Sequence, residues 1–197
     1  LSKGHASPIL YSALKRAGCI SYDTKTLRKI DSPLEGHPLP RSTPWIKIAT
    51  GSLGQGLSAG IGFALSAKLQ KRNFRTYVLL GDGESAEGSI FEALQLAGHY
   101  KLNNLCAIMD VNRLGETGET ISGYNLKAYK KIAYSFNWNP IIIDGHKIEQ
   151  LVKALDKAKS SKYPTLIIAK TIKGKGFSLV ENQEKKHGKA FTKEEAE

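Results

Sequence analysis

A carboxylate between two glycines and an asparagine stand at the ends of two predicted strands. Gly81, Asp82 and Gly83 follow one apolar run, and Asn112 follows the next. Glycines at such a turn let backbone N–H groups approach a phosphate closely, and a carboxylate is tolerated among phosphates when a divalent cation bridges the two. We therefore predict that Asp82, the amide oxygen of Asn112 and the backbone carbonyl of Leu114 bind magnesium, although either feature alone is more often an ordinary turn or helix cap.

Three of the five histidines have neighbours that suit a ligand site. His5, His37 and His187 each lie beside a glycine, where the backbone can approach a ligand and the imidazole can project toward it. Because an imidazole titrates near neutral pH, it can donate or accept a proton in catalysis. His99 and His146 fall in a predicted helix and at a predicted helix start, and we interpret them as surface or structural residues.

Alternating helical and strand patterns predict the fold that positions these groups. Segments with apolar residues at helical spacing alternate with short apolar runs typical of buried strands. This alternation predicts an α/β fold, with a parallel sheet covered by helices on both faces. Ligands of such sheets bind at the carboxyl ends of the strands. The predicted helices are 6–17, 24–30, 52–71, 86–99, 125–135 and 147–159, with a short one near the end capped by Thr192 ahead of Glu195, and the predicted strands are 76–80, 105–110, 140–144 and 164–170.

Length and composition predict one globular domain. The chain has 197 residues, of which 41% are hydrophobic, and this is enough to bury a core. The clustering of the apolar residues argues against disorder, and no apolar stretch is long enough for a membrane-spanning helix. The sequence begins at Leu1, within what looks like a helix, without a methionine or a signal peptide. We therefore expect residues 1–197 to be one domain that lacks an upstream segment.

Charge and cysteine content limit the partners and the compartment. A net charge of +11 is compatible with nucleic acid, an anionic membrane surface or phosphorylated small molecules. The lysines are spread along the chain, however, and no helix-turn-helix pattern, zinc-finger spacing or aromatic–basic block accompanies them. We therefore expect no nucleic-acid or membrane partner. Two cysteines, Cys19 and Cys106, cannot build a disulfide framework, which favours a reducing, cytoplasmic setting.

The Gly-Asp-Gly turn and Asn112 together resemble the thiamine diphosphate motif, because 28 residues, 84–111, separate them and both stand at strand ends. Further segments extend the resemblance along the chain and make it similar to transketolase, in particular to the amino-terminal subunit of a split transketolase. The resemblance implies the thiamine-diphosphate-binding fold. The segments are Ser-Lys-Gly-His-Ala at 2–6, Glu-Gly-His-Pro at 35–38, Ala-Thr-Gly-Ser-Leu-Gly-Gln-Gly at 49–56, Lys-Gly-Lys-Gly at 173–176 and His-Gly-Lys-Ala at 187–190.

The resemblance implies how the cofactor is held. In the family, the aspartate, the asparagine and a following carbonyl bind the Mg²⁺ that carries the cofactor's diphosphate, and these correspond to Asp82, Asn112 and Leu114. Gly51 and Leu53 match the residues that face the aminopyrimidine and thiazolium rings and help to enforce the bent conformation of the cofactor.

The resemblance also implies the catalytic residues. His5 and His187 are expected to lie against the diphosphate and the reacting centre, and His37 is expected to contact hydroxyl groups of the donor sugar. Gly83 is expected to bind the cofactor. Glu87 matches an acidic residue at the interface between paired cofactor domains.

The reaction implied is the transfer of a two-carbon ketol unit from a ketose phosphate to an aldose phosphate. In the family, a second domain supplies the glutamate that pairs with the pyrimidine ring and the residues that bind the sugar phosphate. Only 27 residues, 171–197, follow the last predicted strand. We therefore expect the chain to be inactive alone and to need a separate carboxyl-terminal subunit, in a two-plus-two assembly.

Three departures from the family and three rival hypotheses accompany this interpretation. Ser52 stands where the family usually has proline, Lys186 replaces an aromatic residue, and the family's earliest active-site histidine would precede Leu1. A deoxyxylulose-phosphate synthase or a dehydrogenase E1 component would share the Gly-Asp-Gly to Asn block but not the first two histidine segments. The second rival is a subunit that keeps the fold without catalysis, and the third is a basic nucleic-acid-binding domain.

Overall fold

Four parallel strands form one sheet at the centre of the protein, whose computed structural model describes residues 1–196. They lie in the order β1-β2-β4-β3. In register, Gly81 pairs with Asp110, and Val111 pairs with Lys170. The residues that follow β1, β2 and β4 therefore meet where these strands end, at the carboxyl-terminal edge of the sheet. The strands are β1 (Thr76–Gly81), β2 (Leu105–Val111), β3 (Asn139–Asp144) and β4 (Thr165–Lys170).

Six α-helices accompany the sheet within the described residues: α1 (Ser7–Arg16), α2 (Gln55–Leu69), α3 (Gly88–His99), α4 (Leu126–Ser135), α5 (Ile148–Ser160) and α6 (Lys193–Ala196). The predicted cap of α6 is confirmed. Thr192 Oγ1 accepts a hydrogen bond from Glu195 N at 3.2 Å, and Glu195 Oε2 accepts one from Thr192 N at 2.9 Å. Within residues 1–196, no helix combines the length and the apolar character needed to cross a membrane.

Two predicted helices differ from the structure. The short helix predicted near 24–30 forms only as one 3-10 turn, Thr24–Thr26, because Arg28 adopts a φ of 60°, outside the helical region. The helix predicted over 52–71 begins later, at Gln55. Gly54 precedes it with a φ of 81°, which an α-helical residue does not adopt.

Side chains on the two faces of the sheet belong to separate cores, which confirms that helices cover both faces. The larger core lies between the sheet and α2, α3 and α4, and includes Leu80, Ala107 and Leu166. The smaller core lies under α5 and includes Cys106 and Ile167. Because β2 and β4 bury residues on both sides, their sequences are continuous apolar runs rather than alternating ones.

A third apolar cluster holds the irregular segment 20–50 against α1. Buried Tyr11 packs there with residues from the segment and donates a hydrogen bond from its hydroxyl to Glu35 O at 3.0 Å. Ser7 Oγ donates to Gly36 O at 2.7 Å, and Ser2 N donates to Leu79 O at 2.9 Å. These contacts bring the beginning of the chain and the Glu-Gly-His-Pro segment next to β1, on the side of this outer strand that does not pair with β2.

Candidate functional site

Asp82 lies in the turn after β1 and is almost fully buried, with 5% of its surface exposed. Its Oδ1 accepts a hydrogen bond from Gly83 N at 2.9 Å, and its Oδ2 accepts one from Arg113 N at 2.6 Å. Burial raises the pKa of Asp82, and the two backbone hydrogen bonds oppose this rise because they stabilise the carboxylate. The turn therefore holds a largely desolvated carboxyl group next to the loop that carries Asn112.

Asn112 and Leu114 form a second turn directly after β2. Asn112 is buried, and its Oδ1 accepts a hydrogen bond from Leu114 N at 3.1 Å. Arg113 between them has a φ of 64°, a conformation that non-glycine residues rarely adopt and that is typical of functional loops. The carbonyl oxygen of Leu114 accepts a hydrogen bond from Lys173 Nζ at 3.3 Å. The second turn is therefore tied to the segment that follows β4.

The oxygen atoms of these two turns fit a hard divalent cation. Asp82 offers carboxylate oxygens, Asn112 an amide oxygen and Leu114 a backbone carbonyl, and Mg²⁺ prefers such ligands. The described part of the chain contains no group of three or more His, Cys, Asp or Glu residues that could hold a metal ion. A cation at these three residues would therefore take further oxygen ligands from water or from a phosphate group.

His5 and His187, from opposite ends of the chain, lie together at this site. Their ring centroids are 4.5 Å apart, and Lys173 Nζ lies 2.9 Å from His187 Nδ1. Desolvation, reinforced by the charge of Lys3 and by His187 and Lys173, lowers the pKa of His5 to about 4. Desolvation and the charge of Lys173 also lower the pKa of His187. Both imidazoles are therefore neutral near neutral pH.

Two lysines and one aspartate whose roles were not predicted from the sequence also lie at the site: Lys3, Lys173 and Asp110. Lys3 is buried and forms an ion pair with Asp110 at the end of β2, and Thr171 Oγ1 also donates to Asp110. Burial would raise the pKa of Asp110, but the charge of Lys3 and the hydrogen bonds from Lys3, Thr171 and Asn112 outweigh it and lower the pKa. The positions of Lys3 and Lys173 inside the quoted motifs were the signal that could have identified them.

His37 contacts the loop that was expected to face the cofactor. A Cβ on Gly51 would lie 3.7 Å from His37 Cγ, and Gly51 has a φ of 119°, which favours glycine. A Cβ on Gly4 would lie 2.5 Å from Thr50 Oγ1 and 3.0 Å from His37 Cδ2. Gly4 is therefore needed for the close approach of His5's segment to this loop.

Leu53 and Glu87 lie beside the buried part of the site, on the exposed surface. Leu53 is 39% exposed, and Glu87 is exposed at the residue before α3. Between them, the Cβ of Glu87 would be 3.0 Å from a Cβ on Gly54. The structure thus brings Asp82, Asn112, Leu114, His5 and His187 together at the carboxyl-terminal edge of the sheet. Leu53 and Glu87 remain exposed beside them.

Comparisons with known proteins identify a family and several relatives. A family model described as "Transketolase, thiamine diphosphate binding domain" matches residues 1–197. The chain is 50% identical over 200 residues to "Transketolase-like protein 2" of Bos taurus, a match that covers 100% of this chain and 32% of that protein. It is 41% identical over 199 residues to one subunit of the apulose-4-phosphate transketolase of Phocaeicola vulgatus, covering 100% of this chain and 70% of that one.

The solved structures agree as well. The transketolase of Campylobacter jejuni matches with a TM-score of 0.85 and 37% identity, over 92% of this chain and 30% of that one. The chain thus spans about a third of the Bos taurus and Campylobacter jejuni proteins, at 32% and 30% of their lengths. The similarity therefore concerns the cofactor-binding part of those enzymes.

Proposed function

Since this chain belongs to the family of transketolase thiamine diphosphate binding domains, we propose that it is the amino-terminal subunit of a split transketolase. With a carboxyl-terminal subunit, it would transfer a two-carbon ketol unit from a ketose phosphate to an aldose phosphate, using thiamine diphosphate and Mg²⁺. The observation that carries this proposal is the convergence of Asp82, Asn112 and the Leu114 carbonyl with His5 and His187 at one edge of the sheet.

In this proposal, the two turns hold the cation and the diphosphate. Asp82, Asn112 and Leu114 would hold Mg²⁺, and the backbone of Gly83, directly after Asp82, would bind the cofactor. The ammonium group of Lys173, which donates to Leu114 O at 3.3 Å, would neutralise part of the diphosphate charge. When bound, the cofactor serves as the electron sink for breaking and forming the carbon–carbon bond.

The histidines then move protons and position the sugar. Because Lys173 is an ammonium donor, Nδ1 of His187 accepts its hydrogen bond at 2.9 Å, and the proton of the neutral ring resides on Nε2. His187 can therefore donate through Nε2. His5, with a pKa of about 4, is neutral and can accept a hydrogen bond. His37, which lies beside Gly51, would bind hydroxyl groups of the donor sugar.

A partner subunit completes the site in this proposal. Leu53 and Glu87, which we assign to the rings of the cofactor and to the interface between subunits, are exposed beside the buried cation site. The relative at 41% identity is itself named as one subunit of a transketolase, and this supports a divided enzyme. We propose a two-plus-two assembly in which the chain alone is inactive.

The charge and the cysteines support the remaining assignments. A net charge of +11 suits the capture of anionic sugar phosphates. Cys19 and Cys106 are both free thiols, which supports a reducing, cytoplasmic setting. A steering role of the charge predicts that substrate capture slows as the ionic strength rises. Capture that does not depend on salt would contradict that role.

Calorimetric titration with thiamine diphosphate and Mg²⁺ tests the proposal. The chain is titrated alone and after co-expression with its carboxyl-terminal partner, and ketol transfer is then assayed on the complex. We expect binding in the complex, abolished by Asp82→Ala and unaffected by Asp156→Ala. Asp156 is a suitable control because its carboxylate is exposed and, within the described residues, forms an ion pair with Lys159 alone.

Two outcomes would contradict the proposal. If the complex forms but binds no cofactor, the chain has kept the fold of the family without its chemistry. If the complex binds cofactor but transfers no ketol unit to any aldose phosphate, it belongs to another thiamine-diphosphate-dependent enzyme.

A further inference from the structure

Glu84 is a buried carboxylate that no part of the proposed chemistry uses. It follows the Gly-Asp-Gly turn in a 3-10 turn, Glu84–Ala86, and is only 3% exposed. Its Oε1 accepts hydrogen bonds from Ser2 Oγ and from Gly54 N, the latter at 2.9 Å, and its Oε2 accepts one from Gly81 N at 3.1 Å. Three donors from three separate segments therefore converge on one side chain.

Each of these segments carries residues of the proposed site. Ser2 precedes His5 by three positions, Gly54 follows Leu53 directly, and Gly81 precedes Asp82 directly. Glu84 thus joins the beginning of the chain, the loop before α2 and the turn after β1 within one set of hydrogen bonds. A charged acceptor forms stronger hydrogen bonds with such donors than a neutral one does.

The loop before α2 depends on this contact because its conformation is unusual. Gly54 has a φ of 81° and Gly51 a φ of 119°. Because glycine can adopt more backbone conformations than other residues, fixing these two residues in one conformation costs more entropy. The hydrogen bond from Gly54 N to Glu84 removes part of that freedom at the end of the loop. Gly54 is also confined on its other side, where a Cβ would collide with Ser89 Oγ.

We propose that Glu84 is a positioning residue that holds the loop carrying Gly51 and Leu53 in the conformation that receives the cofactor. The proposal rests on the function proposed above. Glu84 contacts neither the cation ligands nor the histidines through its side chain in the described hydrogen bonds. It acts through the backbone amides of Gly54 and Gly81, which donate hydrogen bonds to it. Removal of its carboxylate should therefore make the loop more mobile while the overall fold is kept.

Two substitutions separate its contacts. Glu84→Ala removes all three hydrogen bonds. Glu84→Gln keeps the size and shape of the side chain, but a carboxamide has only one oxygen that can accept hydrogen bonds. We expect this oxygen to take the position of Oε1, where it can accept from both Ser2 Oγ and Gly54 N. The NH₂ group then points at Gly81 N, which loses its acceptor. The glutamine variant should therefore loosen Gly81 and spare Gly54, whereas the alanine variant should loosen both.

Residue-resolved hydrogen exchange by NMR on the chain without cofactor is the first measurement. In the unmodified chain, the Gly54 amide is expected to be protected although it lies in a loop. In Glu84→Ala, exchange at Gly54 and Gly81 should be about 10- to 100-fold faster, the range expected for loss of a hydrogen bond to a charged group. In Glu84→Gln, only Gly81 should accelerate. Glu92→Gln, a change at an exposed glutamate on α3, is the matched control and should change neither amide.

The second measurement is the affinity of the complex for thiamine diphosphate with Mg²⁺. We expect a loss of about tenfold or more in Glu84→Ala, partial rescue in Glu84→Gln and no change in Glu92→Gln, with the loss following the loosening of Gly54. An unprotected Gly54 in the unmodified chain would overturn the proposal. So would a Glu84→Gln variant in which neither Gly54 nor Gly81 exchanges faster, because its single carbonyl oxygen cannot accept from both amides. This measurement remains available if the alanine variant does not fold.

The two proposals can fail separately. If the unmodified complex binds no cofactor, the proposed function fails, while the exchange rates still decide whether Glu84 holds the loop. If the cofactor binds equally well to the unmodified complex and to Glu84→Ala with a loosened loop, the proposed function stands and the positioning role of Glu84 is wrong.

Discussion

Replacing Lys3 with methionine should destabilise the protein through Asp110. The ammonium group of Lys3 pairs with Asp110, and the two side chains are 9% and 26% exposed. Methionine has a similar length but no charge, so the variant leaves a largely buried carboxylate without its cation. Breaking a buried pair in this way costs about 3–5 kcal/mol. Since Asp110 keeps the hydrogen bond from Thr171 and is partly solvated, we expect a loss of about 2–3 kcal/mol in the free energy of unfolding at pH 7.

The pH dependence of this loss has a definite sign. In the unmodified protein, the pKa of Asp110 is lowered from its ordinary value of 3.8, so its contribution to stability is present above that pH and is lost as the pH falls through the folded-state pKa. Without Lys3, burial dominates and the pKa of Asp110 rises. The carboxyl group of the variant then takes up a proton at a higher pH and no longer carries an unpaired charge. The difference in stability between the two proteins should therefore shrink as the pH is lowered from 7 toward 4.

Urea unfolding of four proteins measures both effects: the unmodified chain, Lys3→Met, Asp110→Asn and the double variant. Asp110→Asn keeps an oxygen for Thr171 while it removes the charge. We expect a coupling energy between the two sites of about 1.5 kcal/mol or more at pH 7. Losses that add to within about 0.5 kcal/mol would refute the reasoning, as would a Lys3→Met deficit that is the same at pH 7 and at pH 4.

Other substitutions test the packing and the titration of the site. Gly4→Ala should lower the free energy of unfolding by about 1–3 kcal/mol, because its Cβ would lie 2.5 Å from Thr50 Oγ1. Gly62→Ala, in α2 with open space around it, should raise that free energy by about 0.5–1 kcal/mol, and equal effects in urea unfolding would contradict the packing argument. An NMR titration of His5 should give a pKa of about 4, lowered from 6.5. Because the unfolded chain then binds the proton more readily, stability should decrease as the pH falls from 6.5 toward 4, and a His5→Gln variant that keeps this part of the pH profile would show that another group is responsible.

The strands were the most predictable part of the fold. Each forms within one residue of the predicted bounds, because a buried apolar run between polar segments has few other conformations open to it. Their order could not be predicted, since β4 lies between β2 and β3 and the choice depends on how whole faces pack. The short helix predicted near 24–30 is reduced to one 3-10 turn, Thr24–Thr26, for a local reason. Its polar residues bury little, and the backbone turns at Arg28.

The site could be predicted for residues whose location in the fold follows directly from their position at the end of a strand. Asp82 and Asn112 stand at strand ends, so their proximity follows from a parallel sheet. Glu84 and Asp110 could not be identified in this way. Their partners are distant in sequence, as with Ser2 and Gly54 for Glu84 and Lys3 for Asp110, and no spacing along the chain indicates such contacts. The contact between His5 and His187 was expected only from the resemblance to transketolase.

The order of the strands has a consequence for synthesis on the ribosome. The strand that lies between β2 and β3 is the last to be made, because β4 is last in the sequence. Until it emerges, β2 has an unpaired apolar edge and β3 has no neighbour in the sheet. The hydrogen bonds from Thr171 to Asp110 and from Lys173 to Leu114 O also cannot form until the segment after β4 has been made. We therefore expect nascent chains that end before Thr165 to bind chaperones or aggregate rather than form a smaller stable sheet, so that the turns carrying Asp82 and Leu114 reach their final arrangement only after β4 has been made.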